Sequence, residues 1–318
     1  MQVSSPSNSP VATPSATTPS CSKACQIATQ ILKGVVTFLS TTLWTAGALV
    51  ALSVEALATA LVASIVAVGA ILGAPWIFCS ESETRNKVVD TALSILSEML
   101  AVMSVTALYP LDLTWFDPKP APANKTPIIL VHGYLDTSSS WFYIWYRLRQ
   151  ADVGPIYTIN LGPTFMMSIE ECAQKLRSKL EQIEKDTGRS DIRLYGHSMG
   201  GVVNEYYVKH IAPQGTVVHR VTFASPLQGT TTTSMGVGRC TQQMTYQSPF
   251  MQELNSIQHH SPSLHFWTRG DAIVRPVESA KGIGGGTVQN HELRRHGHLS
   301  VFFSREAADI LVSRNRTL

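Results

Sequence analysis

Charged residues are scarce in this sequence. Asp, Glu, Lys and Arg make up 15% of its 318 residues, against roughly 25% in an ordinary soluble domain, while hydrophobic residues reach 44%. This composition excludes a disordered chain and indicates that part of the molecule does not face water. Residues 118–318 hold 21 Lys or Arg against 15 Asp or Glu, with no long basic run. We therefore expect no nucleic acid as a partner.

Cysteine is also scarce. The five cysteines are odd in number and form no C-x-x-C pair, which excludes a zinc ribbon and a disulfide scaffold and favours reduced thiols. His, Cys, Asp and Glu occur nowhere with the spacing of metal ligands. We expect neither a metal nor another cofactor.

Large side chains are rare at the start of the chain. Residues 1–20 are almost entirely Ser, Thr, Pro, Ala and other small or polar residues, without an aromatic side chain. Such a segment cannot bury enough apolar surface to offset its ordering entropy. We predict a disordered tail over residues 1–26.

A long hydrophobic run follows. Residues 34–78 span 45 positions with Glu55 as the only charge, about 68 Å as a helix, against a bilayer core of about 30 Å. Two spans, roughly 33–51 and 58–77, fit this length better than one. We predict a membrane hairpin within 27–78; the alternative is a buried helical hairpin of a soluble protein.

The flanking charges indicate an orientation. Lys23 and Lys33 precede the run, and Arg85 and Lys87 follow it. Cytoplasmic segments beside membrane spans are enriched in basic residues, so we expect both ends of the hairpin, and the catalytic domain, to face the cytoplasm. A cleavable signal peptide is disfavoured, because the apolar run continues beyond residue 60.

Residues 79–117 are predicted to connect the hairpin to the next domain. Apolar residues recur with a helical period over 84–104, although Asp90 and Glu98 make a third span unfavourable. We expect an amphipathic helix on the membrane or against the next domain. The Pro-rich stretch 117–127 is typical of a linker.

Strand and helix patterns alternate through residues 118–318, the predicted catalytic domain. Short apolar segments predict strands at 128–131, 156–161, 192–195, 216–224 and 264–268. Amphipathic segments predict helices at 169–185, 199–211 and 301–314. Such alternation predicts an α/β fold with a mostly parallel sheet between helices.

One motif in this part points to chemistry. G-H-S-M-G at 196–200 has the form G-x-S-x-G, a weak pattern by itself, but it directly follows a predicted strand and precedes a predicted helix. A nucleophile elbow occupies that position and exposes its serine hydroxyl. The N–H groups at the start of the helix favour a developing oxyanion. Ser198 is therefore the candidate nucleophile.

Four segments together resemble the α/β-hydrolase superfamily, and its lipase and esterase branch in particular. They are G-H-S-M-G at 196–200, V-H-G-Y at 131–134, R-G-D-A-I-V at 269–274 and G-H-L-S at 297–300. The resemblance covers about residues 125–315. It implies an α/β-hydrolase fold, with a mostly parallel sheet flanked by helices.

The resemblance also implies a role for individual residues. Ser198, Asp271 and His298 follow the superfamily's chain order of nucleophile, acid and base. His298 would take the serine proton while Asp271 fixes the imidazole tautomer. The backbone N–H groups of Tyr134 and Met199 would bind the oxyanion.

Other titratable residues lie near these motifs, and their roles must be distinguished from those of the three candidates. His296 is an alternative candidate for the catalytic base, although only His298 lies in a G-H-L sequence. His132 and His197 flank the functional turns, where we expect them to support the loops. Asp136 is expected to be a turn residue.

A substrate rim is predicted around the serine. Aromatic and methionine side chains lie on loops expected near it, namely Trp141, Phe142, Phe165, Met166 and Met167. The segment 225–262 is long enough to form a small lid. Ordinary core packing is the alternative for both sets.

These features predict a membrane-anchored serine hydrolase of carboxylic esters, with lipid acyl esters as the favoured substrates. An acyltransferase with the same triad is one alternative, and a catalytically silent membrane adaptor is another. The complete set of three residues and two oxyanion loops argues against the adaptor.

Overall fold

The structure is a computed structural model that describes residues 82–284 and 287–317. The predicted tail (1–26) and the predicted membrane hairpin (27–78) lie outside the described residues and stay predictions. Within the described residues, Cys172 and Cys240 are buried free thiols.

Six parallel strands form the centre of the described fold. They are β1 (Ile128–Val131), β2 (Ile156–Ile159), β3 (Ile192–His197), β4 (Val217–Phe223), β5 (Ser263–Trp267) and β6 (Val288–Glu292). Their order in the sheet is β2-β1-β3-β4-β5-β6, so the strand order reverses between β1 and β3. Ligands of open α/β sheets bind at the carboxyl ends of the strands beside such a reversal.

Helices cover both faces of this sheet. They are α1 (Ser82–Leu108), α2 (Phe142–Gln150), α3 (Ile169–Thr187), α4 (Met199–His210), α5 (Arg239–Gln243), α6 (Pro249–Ser256) and α7 (Arg305–Thr317). Strand β1 shows why there are two layers, since successive side chains of a strand point to opposite faces. Ile129 and Val131 pack with residues of α3 and α4, whereas Ile128 and Leu130 pack with residues of α2 and α7. The α/β fold class is confirmed.

Some elements differ from the sequence prediction. The short helices α2, α5 and α6 and the strand β6 were not predicted. Strand β6 has no buried residue, so it lacks the apolar pattern by which a strand is recognised. The closing helix α7 begins at Arg305, because a 3₁₀ turn occupies Ser300–Phe303.

Helix α1 lies against the catalytic domain. Among the residues of α1 whose side chains are described, the buried ones are small or medium-sized, namely Ser94, Ala101 and Val105. The large apolar side chains point outward, and the exposed ones are Val89, Leu93, Ile95, Leu96, Leu100 and Met103. Among the described helices, the segment Asn86–Leu108 alone is long and apolar enough to cross a membrane by length and composition.

The segment predicted as a linker is also attached to the domain. Asp117 accepts hydrogen bonds from Thr158 N (2.9 Å) and from Lys179 Nζ (2.5 Å), and the Ala123 amide donates to Thr187 O at 3.0 Å. All described residues fall within one compact unit. The domain boundary expected at residue 118 stays a prediction.

Candidate active site

Ser198 lies on a sharp turn between β3 and α4. Its backbone has φ 51° and ψ −125°, a conformation that is costly for a residue with a side chain and that is typical of functional positions. The turn packs tightly against β1, because a Cβ atom added to Gly200 would lie 2.4 Å from Val131 O. Only glycine allows this approach. The turn holds the half-buried Ser198 side chain at the carboxyl end of the sheet.

His298 connects Ser198 to Asp271. The His298 Nε2 atom lies 3.0 Å from Ser198 Oγ, and its Nδ1 atom lies 2.9 Å from Asp271 Oδ2. Both the imidazole and the carboxylate are buried. Since ionised Asp271 can only accept, His298 Nδ1 carries the proton and Nε2 is free to accept the serine proton.

The turn after β5 fixes the carboxylate of Asp271. Its Oδ1 atom accepts the backbone N–H groups of Ile273 and Val274, each at 2.8 Å. The other oxygen, Oδ2, is left for His298. A buried carboxylate is stable only when its lone pairs are satisfied in this way.

Electrostatics make His298 a stronger base. Burial lowers the pKa of His298, but the charge and hydrogen bond of Asp271 and the charges of Glu98 and Asp136 raise it, so that the net pKa lies above the ordinary value. His197 lies against the same ring, with ring centroids 4.9 Å apart. Burial holds the pKa of His197 well below the ordinary value, so it stays neutral and adds no repelling charge.

The loop after β1 also lies beside Ser198. A Cβ atom added to Gly133 would lie 3.0 Å from Ser198 Cβ, which places the backbone of Gly133 and Tyr134 beside the nucleophile. His132 braces this loop, since its Nε2 accepts the Leu161 amide at 2.9 Å and its Nδ1 donates to Gly133 O at 2.9 Å. The N–H groups proposed for the oxyanion thus belong to two backbone segments that both lie close to Ser198.

The other histidines of this region hold backbone or lie apart from Ser198. His197 Nε2 donates to His298 O at 3.0 Å, which fixes the backbone of the candidate base. His296 is half-buried, and its carbonyl oxygen accepts Thr268 Oγ1 at 2.6 Å. The ring hydrogen-bonded to Ser198 Oγ is that of His298.

The predicted rim residues differ in their exposure to solvent. Trp141 is fully buried and packs edge-on against Phe223 and Phe302, so it belongs to the core and its assignment to the rim is corrected. Phe142 stacks on Trp145, on the outer side of α2. Periodicity could not detect this, because residues 138–141 form a 3₁₀ turn that carries Trp141 inward.

Met166 is the most exposed of the predicted rim residues, at 72%. Met167, in contrast, packs against the core. In the segment 225–262, Met244 and Met251 are buried, so they are core residues and not part of a lid.

Several exposed apolar residues on the strand-end loops are not indicated by the sequence pattern. They are Leu135, Val237 and Ile273. The loops that carry them are joined: Leu135 N donates to Thr164 Oγ1 at 3.0 Å, and Tyr134 Oη donates to Val237 O at 2.7 Å. Single apolar residues in loops have no periodic signal, so only their meeting in space could reveal them.

No group of His, Cys, Asp or Glu within residues 82–284 and 287–317 is arranged to hold a metal ion.

A family model described as Lipase (class 2) matches residues 125–295, more than half of the chain. A triacylglycerol lipase of Pseudarthrobacter phenanthrenivorans is 29% identical in an alignment of length 119 that covers 34% of this chain. The similar segment spans only 35% of the length of that relative.

Solved structures with the same fold include two lipases. Mature lipase BlEst2 of Bacillus licheniformis superimposes with a TM-score of 0.53 at 17% identity, covering 63% of this chain and 96% of the other. Lipase B of Aspergillus fumigatus gives a TM-score of 0.52 at 15% identity, covering 59% of this chain and 51% of the other. These similarities show the α/β-hydrolase fold.

Proposed function

This chain belongs to the class 2 lipase family, and on that basis we propose that it is a membrane-anchored serine hydrolase that cleaves carboxylic esters, with lipid acyl esters as its substrate class. One observation carries the proposal. Ser198 Oγ, His298 and Asp271 form a continuous hydrogen-bonded series at the reversal of the strand order.

The first half of the reaction forms an acyl-enzyme. His298 Nε2 takes the proton of Ser198 Oγ as the oxygen attacks the ester carbonyl carbon. Asp271 stabilises the imidazolium that results. The oxyanion is held by the backbone N–H groups of Tyr134 and Met199, where one lost donor costs about 10²–10³-fold in kcat. His298 then protonates the leaving alcohol, and the C–O bond breaks.

The second half hydrolyses the acyl-enzyme. Water enters where the alcohol left, gives its proton to His298 Nε2 and attacks the acyl carbon. The intermediate collapses, Ser198 Oγ recovers the proton, and a carboxylic acid is released. If an alcohol replaces water in this step, the same residues transfer the acyl group, which is the acyltransferase alternative.

Exposed apolar residues in the catalytic domain support an acyl substrate. Leu135, Met166, Val237 and Ile273 lie on the strand-end loops, and each methylene buried against such side chains contributes about 0.8 kcal/mol. We expect kcat/KM on p-nitrophenyl esters to rise from acetyl to octanoyl. A preference for acetyl esters would contradict the lipid assignment while leaving the hydrolase assignment intact.

Membrane anchoring rests on the hydrophobic run 34–78 and on the exposed stripe of α1 (Val89, Leu93, Leu96, Leu100, Met103). Glu98 binds the catalytic domain, so α1 is proposed to lie along the membrane surface and not across the bilayer.

Membrane extraction and protease accessibility test this anchoring. The full chain should resist carbonate extraction, and protease should reach both its tail and its catalytic domain from the same side. Protection of one of the two would favour a single span.

Labelling by a fluorophosphonate probe tests the proposed chemistry. The full-length protein should be labelled, and Ser198→Ala should lose both labelling and about 10⁴-fold or more of its ester hydrolysis. Ser256→Ala, at the exposed end of α6, is the matched control and should match the wild type. Activity of Ser198→Ala within tenfold of the wild type would reject the assignment. Product analysis with an added alcohol separates hydrolysis from acyl transfer.

A further inference from the structure

The loop that carries His298 is held by a carboxylate of helix α1. That carboxylate is Glu98, and both it and the loop residues 297–300 lie outside the family match, which covers residues 125–295. The Glu98 Oε1 atom accepts the Leu299 amide at 2.8 Å, and Oε2 accepts the Ser300 amide at 2.9 Å. These are the two residues that follow the candidate base in the chain.

The 3₁₀ turn Ser300–Phe303 explains why an external acceptor is needed. Its N-cap residue is Leu299, whose side chain offers no capping hydrogen bond. The first N–H groups of a helical turn lack intrahelical partners, and an unpaired buried N–H is costly. Glu98 supplies the acceptor that the local sequence lacks, and its negative charge suits the positive end of the turn.

The loop is also shaped to admit this carboxylate. A Cβ atom added to Gly297 would lie 2.5 Å from Glu98 Oε2 and 2.7 Å from Glu98 Cδ. Any side chain at 297 would therefore displace the carboxylate. Glu98 can bind this loop because the residue before His298 is a glycine.

Two neighbouring contacts keep α1 in register with the loop. Ser97 Oγ donates to Arg295 O at 2.8 Å, and Arg295 Nε donates to Asp90 Oδ1 at 2.7 Å. With Glu98, these residues recur at the spacing of one helix face. The same face therefore binds both ends of the segment 295–300, with His298 between them.

We infer that Glu98 is a positioning residue for His298: by binding the amides of Leu299 and Ser300 it keeps the imidazole within reach of Ser198 Oγ. This inference rests on the proposed function. A displacement of about 1 Å in a catalytic group can cost about 10²-fold in rate. Glu98 acts through the backbone and does not touch the reacting atoms.

The negative charge of Glu98 has a second effect, on the pKa of His298, which can be measured separately from its effect on position. The groups that face His298 are Asp271, Ser198, His197, Asp136 and Glu98. Asp271 is the largest of the influences that raise the pKa of His298, and Glu98 adds to them from the side of α1. Removing the charge of Glu98 therefore lowers the pH at which the base becomes protonated.

Glu98→Gln in the full-length protein tests the inference, with p-nitrophenyl butyrate as substrate and active sites counted by fluorophosphonate titration. A glutamine offers only one oxygen to two N–H donors. We expect kcat per active site to fall about 10²-fold with KM within twofold, and the acid limb of kcat/KM to move to lower pH. Glu83→Gln, on the same helix but paired with Lys87, is the control and should match the wild type.

Glu98→Asp separates position from charge, and it decides the question if Glu98→Gln does not fold. Aspartate keeps the charge but is one methylene too short, so kcat should fall while the acid limb stays near that of the wild type. Wild-type kcat in a folded variant, or a loss confined to protein yield, would overturn the inference. The proposed function fails separately, by activity of Ser198→Ala: an inactive Ser198→Ala beside a fully active Glu98→Gln rejects the role of Glu98 alone.

Discussion

The strand-end loops and helix α1 meet at His298 but are built in opposite ways. In the loops the polar groups are buried, and hydrogen bonds hold both Asp271 and His132. In α1 the small and polar side chains face the protein, while Leu96, Leu100 and Met103 are exposed. Buried polar groups suit chemistry that depends on fixed distances, and an exposed apolar stripe suits contact with another apolar surface. We therefore propose that the loops determine turnover, with Glu98 of α1 positioning their base, and that the exposed stripe of α1 determines where turnover takes place.

The largest expected effect lies in the loops. Asp271→Asn should lower kcat/KM about 10⁴-fold at neutral pH, because an amide can donate to His298 Nδ1 and so favours the wrong tautomer. Hydrolysis of p-nitrophenyl butyrate by the full chain measures this. The exposed Asp152→Asn, whose partner is Lys125, is the control. An active Asp271→Asn variant would mean that another carboxylate orients the base.

The core beneath the loops gives the next largest effect. Trp141→Ala should reduce the free energy of unfolding by about 3–5 kcal/mol, because a fully buried aromatic leaves a cavity. Its neighbour Phe142 is 37% exposed, and Phe142→Ala should cost about 1 kcal/mol or less. Denaturant unfolding of both variants in detergent makes the comparison. Equal losses would place both rings in the same environment and contradict the burial of Trp141 in the core.

A smaller effect is expected from α1. Replacing Leu96 and Leu100 by serine removes apolar surface that the fold leaves exposed, so stability should change by only about 0.5 kcal/mol per site. Hydrolysis of lipid in vesicles should fall by about threefold or more, with no change on soluble butyrate. Thr91→Ala, also exposed on α1, is the control. An equal loss on both substrates would show that the stripe serves the fold and not the membrane.

The pH profile gives the smallest effect and joins the two regions. The base acts when neutral, and the net pKa of His298 lies above the ordinary value because Asp271, Glu98 and Asp136 outweigh burial. The acid limb of kcat/KM, which reports the free enzyme, should therefore have its midpoint above about 6.5, the value of an unperturbed histidine. Asp271→Asn should move it downward. A wild-type midpoint below that value would mean that burial dominates.

Much of the fold could be predicted because its strands and helices have recognisable local sequence patterns. Strand β1 is four consecutive buried apolar residues, which is how a strand covered on both faces appears in a sequence. The elbow at Ser198 was recognisable because a strand, glycines and a helix adjoin it. The sequence pattern does not reveal strand β6 or helix α2, since the strand has no buried residue and four of the nine residues of the helix are aromatic.

The sequence by itself determined which segments avoid water, where the chain turns, and the order of Ser198, Asp271 and His298. These are local properties, set by side-chain periodicity and backbone conformation. Only the tertiary structure decided that Trp141 points into the core, that α1 turns its leucines outward, and that Glu98 meets the amides beside His298. Each of these depends on which surface lies opposite a residue, and residues 201 positions apart, such as Glu98 and Leu299, share no local pattern that a sequence could show.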